Sequence, residues 1–259
     1  MTIKTYSAFT YGHTINENNQ WIDFSENGVD QLSAMIEIGT YTLGEFADAV
    51  STALNSTLLI SQEYTVTLDR ATRTLTISAG SNFDLLITSG NKADISAYSL
   101  MGYTGADLTG TNTYTANNVS GSIYYPQFKL QKFVDFNDNV SKAESSVKQS
   151  ASGEVEVVSY GEVKIMECNI TFITDIVPQG VILENPTGVS DLRNFLIYAT
   201  NKAKLEFIPD SSNLLVFTKC ILEKTPEDRD GTAFKLKELY TKKLAEYFET
   251  GLISFREIN

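Results

Sequence analysis

One capped amphipathic helix, set between runs of alternating residues, constrains the fold of this chain more than any other feature. Thr42 followed by Glu45 is a capping box, in which each side chain satisfies an orphan amide at a helix start. Leu43, Phe46, Ala47, Val50 and Leu54 then recur at helical spacing, so one stripe can lie on a sheet. That sheet is expected just downstream. Tyr64, Val66 and Leu68 alternate with Thr65 and Thr67, and after the polar residues 69–73 the alternation resumes with Leu75 and Ile77 against Thr74 and Thr76. Two runs of period two joined by a short polar loop predict a hairpin. No cluster of catalytic residue types stands nearby, so the block reads as scaffold.

The rest of the first half continues in β. Residues 8–15 and 21–24 read as strands around a polar turn at 16–19, and 32–38 and 83–87 as further strands, with a helical turn near 96–100. Residues 108–121 are rich in Thr, Asn and Gly and predict a loop or linker. After Pro126 the texture changes. Residues 145–152 are serine-rich and read as mobile, while 154–160 and 163–174 are expected to pair across Gly161 and Glu162. Leu192, Phe195, Leu196 and Ala199 mark a second helix with Ser190 as its cap, and 204–208 and 214–223 predict strands separated by the turn residues 209–213. Leu236, Leu239, Tyr240, Leu244, Tyr247 and Phe248 predict a third helix stopped by Gly251, with a last strand at 252–258. The expected fold class is α+β, mainly antiparallel β. It comprises two tandem β-rich domains of sandwich or split-barrel type, residues 1–125 and 126–259, each with one or two flanking helices.

A length of 259 residues fits two domains, and 42% hydrophobic content suffices for packed cores. No apolar run approaches the roughly 20 residues that span a bilayer, and residues 1–6 lack the apolar segment of a signal peptide. The expectation is a chain made in the cytoplasm with no membrane insertion. Its net charge is −12 and uneven: residues 1–125 hold 4 basic and 12 acidic side chains, residues 126–259 hold 16 and 20. That sign repels phosphates and argues against a DNA-coating role.

Residues that could carry chemistry are few. Cys168 and Cys220 cannot make a disulfide framework or a four-cysteine zinc site, and their strand-like surroundings predict buried, core-filling thiols. His13 is the only histidine, so any hydrolase triad would have to use it; its context predicts an ordinary surface or turn residue. Asp135, Asn137 and Asn139 begin a calcium-loop spacing, but Val140 stands where a glycine is needed and Ser146 where a bidentate glutamate belongs. Residues 227–231 read as a solvated turn. There is no phosphate loop and no dinucleotide fingerprint. Neither catalytic, cofactor-binding nor metal-binding residues are expected. Tyr98, Tyr103, Tyr114, Tyr124 and Tyr125 are candidates for the surface. Sheet propensity accounts for those in strands, and an interface is favoured for Tyr124 and Tyr125.

Several stretches carry a resemblance. Residues 150–161, 192–209, 223–228 and 247–256 resemble minor tail and distal-tail-type proteins of tailed bacteriophages. Residues 21–24, 38–42 and 100–103 are similar to a module that recurs in virion proteins. The resemblance implies a tail or baseplate structural protein with no enzymatic activity and no cofactor. Its implied fold is a tube-like β-sandwich with a flanking helix, with the first half as an accessory domain. Its implied partners are further copies of itself, as a homo-hexameric ring around the tail channel, and other tail proteins such as the tail tube and hub. The implied location is the virion tail, with DNA passing through without sticking to an acidic lining. A tail tube, neck or tail-completion protein would read similarly.

Two readings from other classes stand beside it. A carbohydrate-binding adhesin would need exposed Trp or Tyr platforms, for which Trp21 and the loop tyrosines are the candidates, and a hydrolase would need a carboxylate pair in a cleft. Thermal melts with and without chelator are expected to superimpose. A shift of many degrees would mean that Asp135, Asn137 and Asn139, or another oxygen cluster, hold an ion.

Overall fold

The computed structural model describes residues 8–124, 134–149, 152–170, 189–201, 203–224, 237–238, 248–249 and 252–258. In chain order the elements are β1 (Ala8–Tyr11), β2 (His13–Ile15), β3 (Trp21–Ser25), β4 (Leu32–Met35), β5 (Gly39–Tyr41), α1 (Leu43–Asn55), β6 (Tyr64–Asp69) and β7 (Thr74–Leu85). A short 3₁₀ turn at Ala93–Ile95 precedes α2 (Tyr98–Met101), β8 (Leu108–Thr115), β9 (Ser122–Tyr124), β10 (Val134–Gln149) and β11 (Val155–Ile170). Then come α3 (Val189–Thr200), β12 (Leu205–Ile208), β13 (Thr218–Lys224), β14 (Lys237–Glu238), β15 (Phe248–Glu249) and β16 (Leu252–Glu257). The class is the expected one, α+β with mainly antiparallel sheet and a few helices. Contacts divide the chain into two compact units. Phe9–Ile123 together with Lys204–Phe217 form a helix–sheet unit, and the described residues of Tyr124–Ala203 and Thr218–Asn259 form a ribbon unit.

In the helix–sheet unit, α1 forms where the capping box starts it: Glu45 N donates to Thr42 Oγ1 at 3.3 Å and Thr42 N donates to Glu45 Oε2 at 3.2 Å. Leu43, Phe46, Ala47, Val50 and Leu54 are buried, so the stripe faces inward as its spacing dictates. The floor is a five-stranded sheet in the order β4-β3-β7-β6, with β8 also on β7. Strand β7 is the spine, pairing with β6 over Thr74 to Ala79 and with β3 at Asp84 and Leu85. Phe24, Tyr64, Phe83 and Tyr114 meet in a chain of edge-to-face contacts at 5.3, 5.2 and 5.0 Å between centroids.

Residues 83–85 continue β7 where a separate strand was expected. The supposed linker at 108–121 begins as strand β8, which exposes most of its side chains but buries Tyr114 and sets Thr115 Oγ1 2.9 Å from Thr76 Oγ1 across the ladder. Threonine is a strand former, so a polar edge strand passes for a loop by composition. The segment 204–217 also belongs with residues 9–123, and within this unit β12, β1 and β9 lie side by side in that order.

The ribbon unit is built on one long hairpin. Strands β10 and β11 pair from Val134↔Ile170 to Gln149↔Val155, so Gly161 and Glu162 lie inside a strand rather than at a turn. The left-handed position falls instead on Gly153, with φ +88°, which a side chain would strain. The serine-rich residues 145–149 likewise belong to β10. Strand β16 pairs with β11 only at 165–169 and with β13 on its other side, in the order β10-β11-β16-β13. Helix α3 begins at Val189, so Ser190 is a helical residue and not the cap. Leu192, Phe195, Leu196 and Ala199 are buried, and the Phe195 ring stacks on Tyr124 at 4.6 Å.

The strand expected at 214–223 starts at Thr218. The expected third helix is contradicted where residues are described: β14 and β15 pair antiparallel at Lys237↔Glu249 and Glu238↔Phe248. Most of that segment lies outside the described residues, as do Tyr125, Pro126 and 227–231. Among the described residues no helix is long and apolar enough to cross a membrane.

Because Phe46 is fully buried at the centre of the α1 stripe, Phe46→Ala is expected to destabilise the helix–sheet unit by about 3–5 kcal/mol. Denaturant unfolding followed by Trp21 fluorescence reads that unit directly, since the chain has one tryptophan.

Candidate functional site

The most demanding group in the helix–sheet unit is Glu206, whose side chain is 1% exposed in the middle of β12. Both of its oxygens face Arg70, from the β6–β7 turn, at 2.6 and 3.2 Å, and Thr10 Oγ1 on β1 donates to it at 3.0 Å. The guanidinium also lies over the Phe217 ring at 4.1 Å from its centroid. Gly44 in the first turn of α1 makes room for this pair, since a Cβ there would lie 2.9 Å from Arg70 Nη2. The carboxylate is therefore fully committed to partners that hold the 204–217 segment.

Asp23, 1% exposed on β3, is committed in the same way. Its carboxylate accepts from Ser33 Oγ at 2.6 Å and from the Lys92 backbone N–H at 2.7 Å, and its carbonyl accepts from Leu86 N and the Tyr98 hydroxyl. Burial, and next the Asp23 carboxylate, push the Tyr98 phenol well above its ordinary pKa. At the surface, Asp69 Oδ1 accepts from the Ala71 and Thr72 amides, and these bonds hold its carboxyl below the usual value. Acidic residues here act as staples for turns and strands.

His13 is not the surface residue expected. It is buried in β2, its ring 4.5 Å from Phe46 between centroids, with Nε2 2.9 Å from Ser120 Oγ. That pair is not arranged for nucleophilic catalysis. The single hydroxyl proton of Ser120 goes to the Leu100 carbonyl at 2.9 Å, so the imidazole donates to the serine instead of drawing its proton. Cys220 is the buried thiol expected, while the Cys168 side chain and those of Asp135, Asn137 and Asn139 lie outside the described residues. Among the described residues there is no group of three or more His, Cys, Asp or Glu that could hold a metal. Tyr98, Tyr103, Tyr114 and Tyr124 are buried, a correction to their expected exposure, because each ring fills core beside an apolar neighbour.

Two surface features remain. One is a groove of about 520 Å³ along α1, lined by Met35, Glu37, Tyr41, Glu45, Asp48 and Lys204 among others. Lys204 Nζ pairs with Glu45 at 3.2 Å, and burial, then Glu37 and Glu45, raise the Tyr41 phenol. The other is in the ribbon unit. Beyond Ile165 no third strand joins the β10–β11 pair among the described residues, so Ser141 to Gln149 and Val155 to Lys164 form a two-stranded ribbon. Nine residues at strand rise make it about 30 Å long. Val147 and Val157 stand directly opposite each other, Val155 follows two residues before Val157 on the same face, and the three are 65%, 64% and 58% exposed.

No protein-family model matches the chain, and comparison with curated proteins gives no match. Sequence reasoning missed Glu206 and Asp23. The signal was present in both: a lone carboxylate flanked by apolar residues inside a predicted strand, which must find a partner if it is buried.

Arg70→Met is expected to cost about 3–5 kcal/mol by stranding the Glu206 carboxylate, and adding Glu206→Met should recover most of it. Urea midpoints of the two variants measure this. Equal losses in single and double variants would show that the pair is not what the burial demands.

Proposed function

We propose that this chain is a structural subunit of a tailed-bacteriophage virion, a tail or baseplate protein of distal-tail type that assembles as a ring around the tail channel. The observation that carries the reading is the β10–β11 ribbon with its exposed valines. An isolated two-stranded ribbon is marginal in water, and three valines on one face add apolar surface that a monomer leaves wet. Both are relieved if the ribbon lies against another copy, and among the described residues no strand pairs with the outer edge of β10, whose backbone donors and acceptors serve the same purpose. A second support is that Glu206, Asp23 and the His13–Ser120 pair are each spent on internal bonds. The resemblance in residues 150–161 and 247–256 supplies the class of assembly and the hexameric count. An acidic surface suits a channel through which DNA passes without adhering. A tail tube, neck or tail-completion subunit fits the same observations. The adhesin reading is weakened, because Tyr98, Tyr103, Tyr114 and Tyr124, four of the tyrosines such a platform would use, are buried.

Electron microscopy and light scattering of the purified protein, alone and with tail-tube and hub proteins, test this. Closed rings are expected. Val147→Asp with Val157→Asp should abolish them while leaving the urea midpoint of the helix–sheet unit unchanged. A strict monomer in assembled particles would overturn the proposal.

A further inference from the structure

The sequence holds one Asn-Gly pair, Asn27–Gly28, and it lies in the exposed loop between β3 and β4. An asparagine amide before glycine is open to attack by the next backbone nitrogen, because glycine has no Cβ to stand in the way. Gly28 has φ +71°, so the loop selects glycine here for a conformational reason of its own.

Hydrogen bonds within the loop engage every polar atom of the Asn27 side chain. Its Oδ1 accepts from the Val29 and Asp30 amides at 2.9 and 2.8 Å. Only an oxygen can accept from those two donors, so Nδ2 turns to Asp30 and donates to its Oδ2 at 2.8 Å. The Gly28 nitrogen is held as well: it donates to Ser25 Oγ at 2.9 Å, and that hydroxyl donates to Asn27 Oδ1 at 3.3 Å. In the closed loop the amide and the nitrogen that could attack it are thus kept on separate partners. Ring closure needs both released. Residues 27–30 are all exposed, Val29 by 85%, so little apolar contact opposes their opening.

A carboxylate in place of the Asn27 amide does not fit the closed loop. It has no proton to give Asp30 Oδ2, and it sets a second negative charge where the donor stood. Asp84 adds to the repulsion, since its Oδ2 lies 3.5 Å from where a Cβ on Gly28 would be. Glu26, the other acid of the loop, is engaged with Ser61 and Tyr64. Residues 22–33 contain no Lys or Arg to offset these charges.

We propose that Asn27 is a self-modification site: in the opened loop the Gly28 nitrogen attacks Asn27 Cγ, and the resulting aspartate or isoaspartate keeps the loop from closing again. In the first step the N–Cγ bond forms, the Cγ–Nδ2 bond breaks, and ammonia leaves with the proton that the Gly28 nitrogen gives up. Water then opens the five-membered imide, at Cγ to give aspartate or at the Asn27 backbone carbonyl to give isoaspartate. The net change converts one amide and one water into one carboxylate and one ammonium, with nothing oxidised or reduced. Isoaspartate also lengthens the main chain by one atom, which moves the Val29 and Asp30 donors away from the side chain they now bind. The change is irreversible and adds one negative charge to the loop.

The test incubates the full protein in mildly alkaline buffer beside a synthetic peptide of residues 22–33, which serves as the open reference. Peptide mass mapping of both is combined with amide exchange of the protein. The mass difference between NH2 and OH is expected at Asn27 before any other asparagine of the chain, in two products that chromatography separates. Its rate in the protein relative to the peptide is expected to equal the open fraction of the loop, read from exchange of the Val29 and Asp30 amides. Asn27→Asp, which reproduces one product, should speed exchange of those two amides about tenfold, the effect of losing one hydrogen bond. The β6–β7 ladder should keep its protection. Asn27→Gln, whose side chain is one methylene too long for the five-membered ring, should stay unmodified. Conversion first at another asparagine overturns the proposal. So does no conversion at Asn27 where exchange shows opening, a rate equal to the peptide's while the two amides are protected, or unchanged exchange in Asn27→Asp. The conversion rates come from the native chain, so they decide even if a variant fails to fold.

Discussion

A carboxylate with 1% of its side chain exposed has to be neutralised where it sits, and the helix–sheet unit is arranged around that need at Glu206. The partners come from far along the chain: Arg70 is 136 residues away and Thr10 is 196. Phe217 lies against the guanidinium, and Gly44 keeps the first turn of α1 clear of it. Removing two charges from water offsets much of what their attraction contributes, so the pair adds little net stability compared with apolar side chains of similar volume. What it supplies is position. Strand β12 is otherwise apolar, Leu205, Phe207 and Ile208, and a slip by one residue would carry Glu206 away from Arg70. The carboxylate fixes the register that hydrophobicity alone leaves loose.

Asp23 does the same for the other end of the sheet. Its two carboxylate oxygens and its carbonyl gather Ser33, Lys92, Leu86 and Tyr98, so β4, the loop before the 3₁₀ turn and α2 are all referred to one residue of β3. Gly90 is required beside it, because a Cβ there would overlap the carboxylate. In the helix–sheet unit both of these buried acids serve as internal anchors, Glu206 through Arg70 and Thr10 and Asp23 through Ser33 and the Lys92 amide.

How far the fold could be read depended on whether local signals agreed with one another. In α1 the cap, the stripe and the following alternation all pointed the same way, and each of Leu43, Phe46, Ala47, Val50 and Leu54 is buried. The β6–β7 hairpin was legible for the same reason. At β8 composition and structure parted, since Thr and Asn on a solvated edge strand look like a loop until Tyr114 is seen to anchor it. At Gly161 the error was to read a glycine as a turn when Gly153 holds the left-handed angle. The basic amphipathic run at 236–248 failed at Lys237–Glu238 and Phe248–Glu249, where pairing to each other overrides helical periodicity. His13 and Glu206 were invisible as a site because their partners, Ser120 and Arg70, are distant in sequence and no local pattern joins them.

Large hydrophobic side chains are exposed in both units, Leu58 and Leu59 in the helix–sheet unit among them, but in the ribbon unit three of them share one face of a single hairpin. In the helix–sheet unit the large rings are inside, and Tyr64, Tyr98 and Tyr103 are almost wholly buried. In the ribbon unit, Val147, Val155 and Val157 stand out on strands that extend past the last pairing with β16. A strand pair with charges at its tip, such as Lys148 opposite Glu156, could have been polar on both faces and harmless. Instead one face carries Val147 opposite Val157, with Val155 two residues along β11 opposite Gln149, and branched apolar side chains of this kind pack well against another sheet. Such a surface costs free energy in a monomer and stabilises only a state in which it is covered. On the assembly proposed above another copy would cover it, since every copy brings the same ribbon at equal concentration.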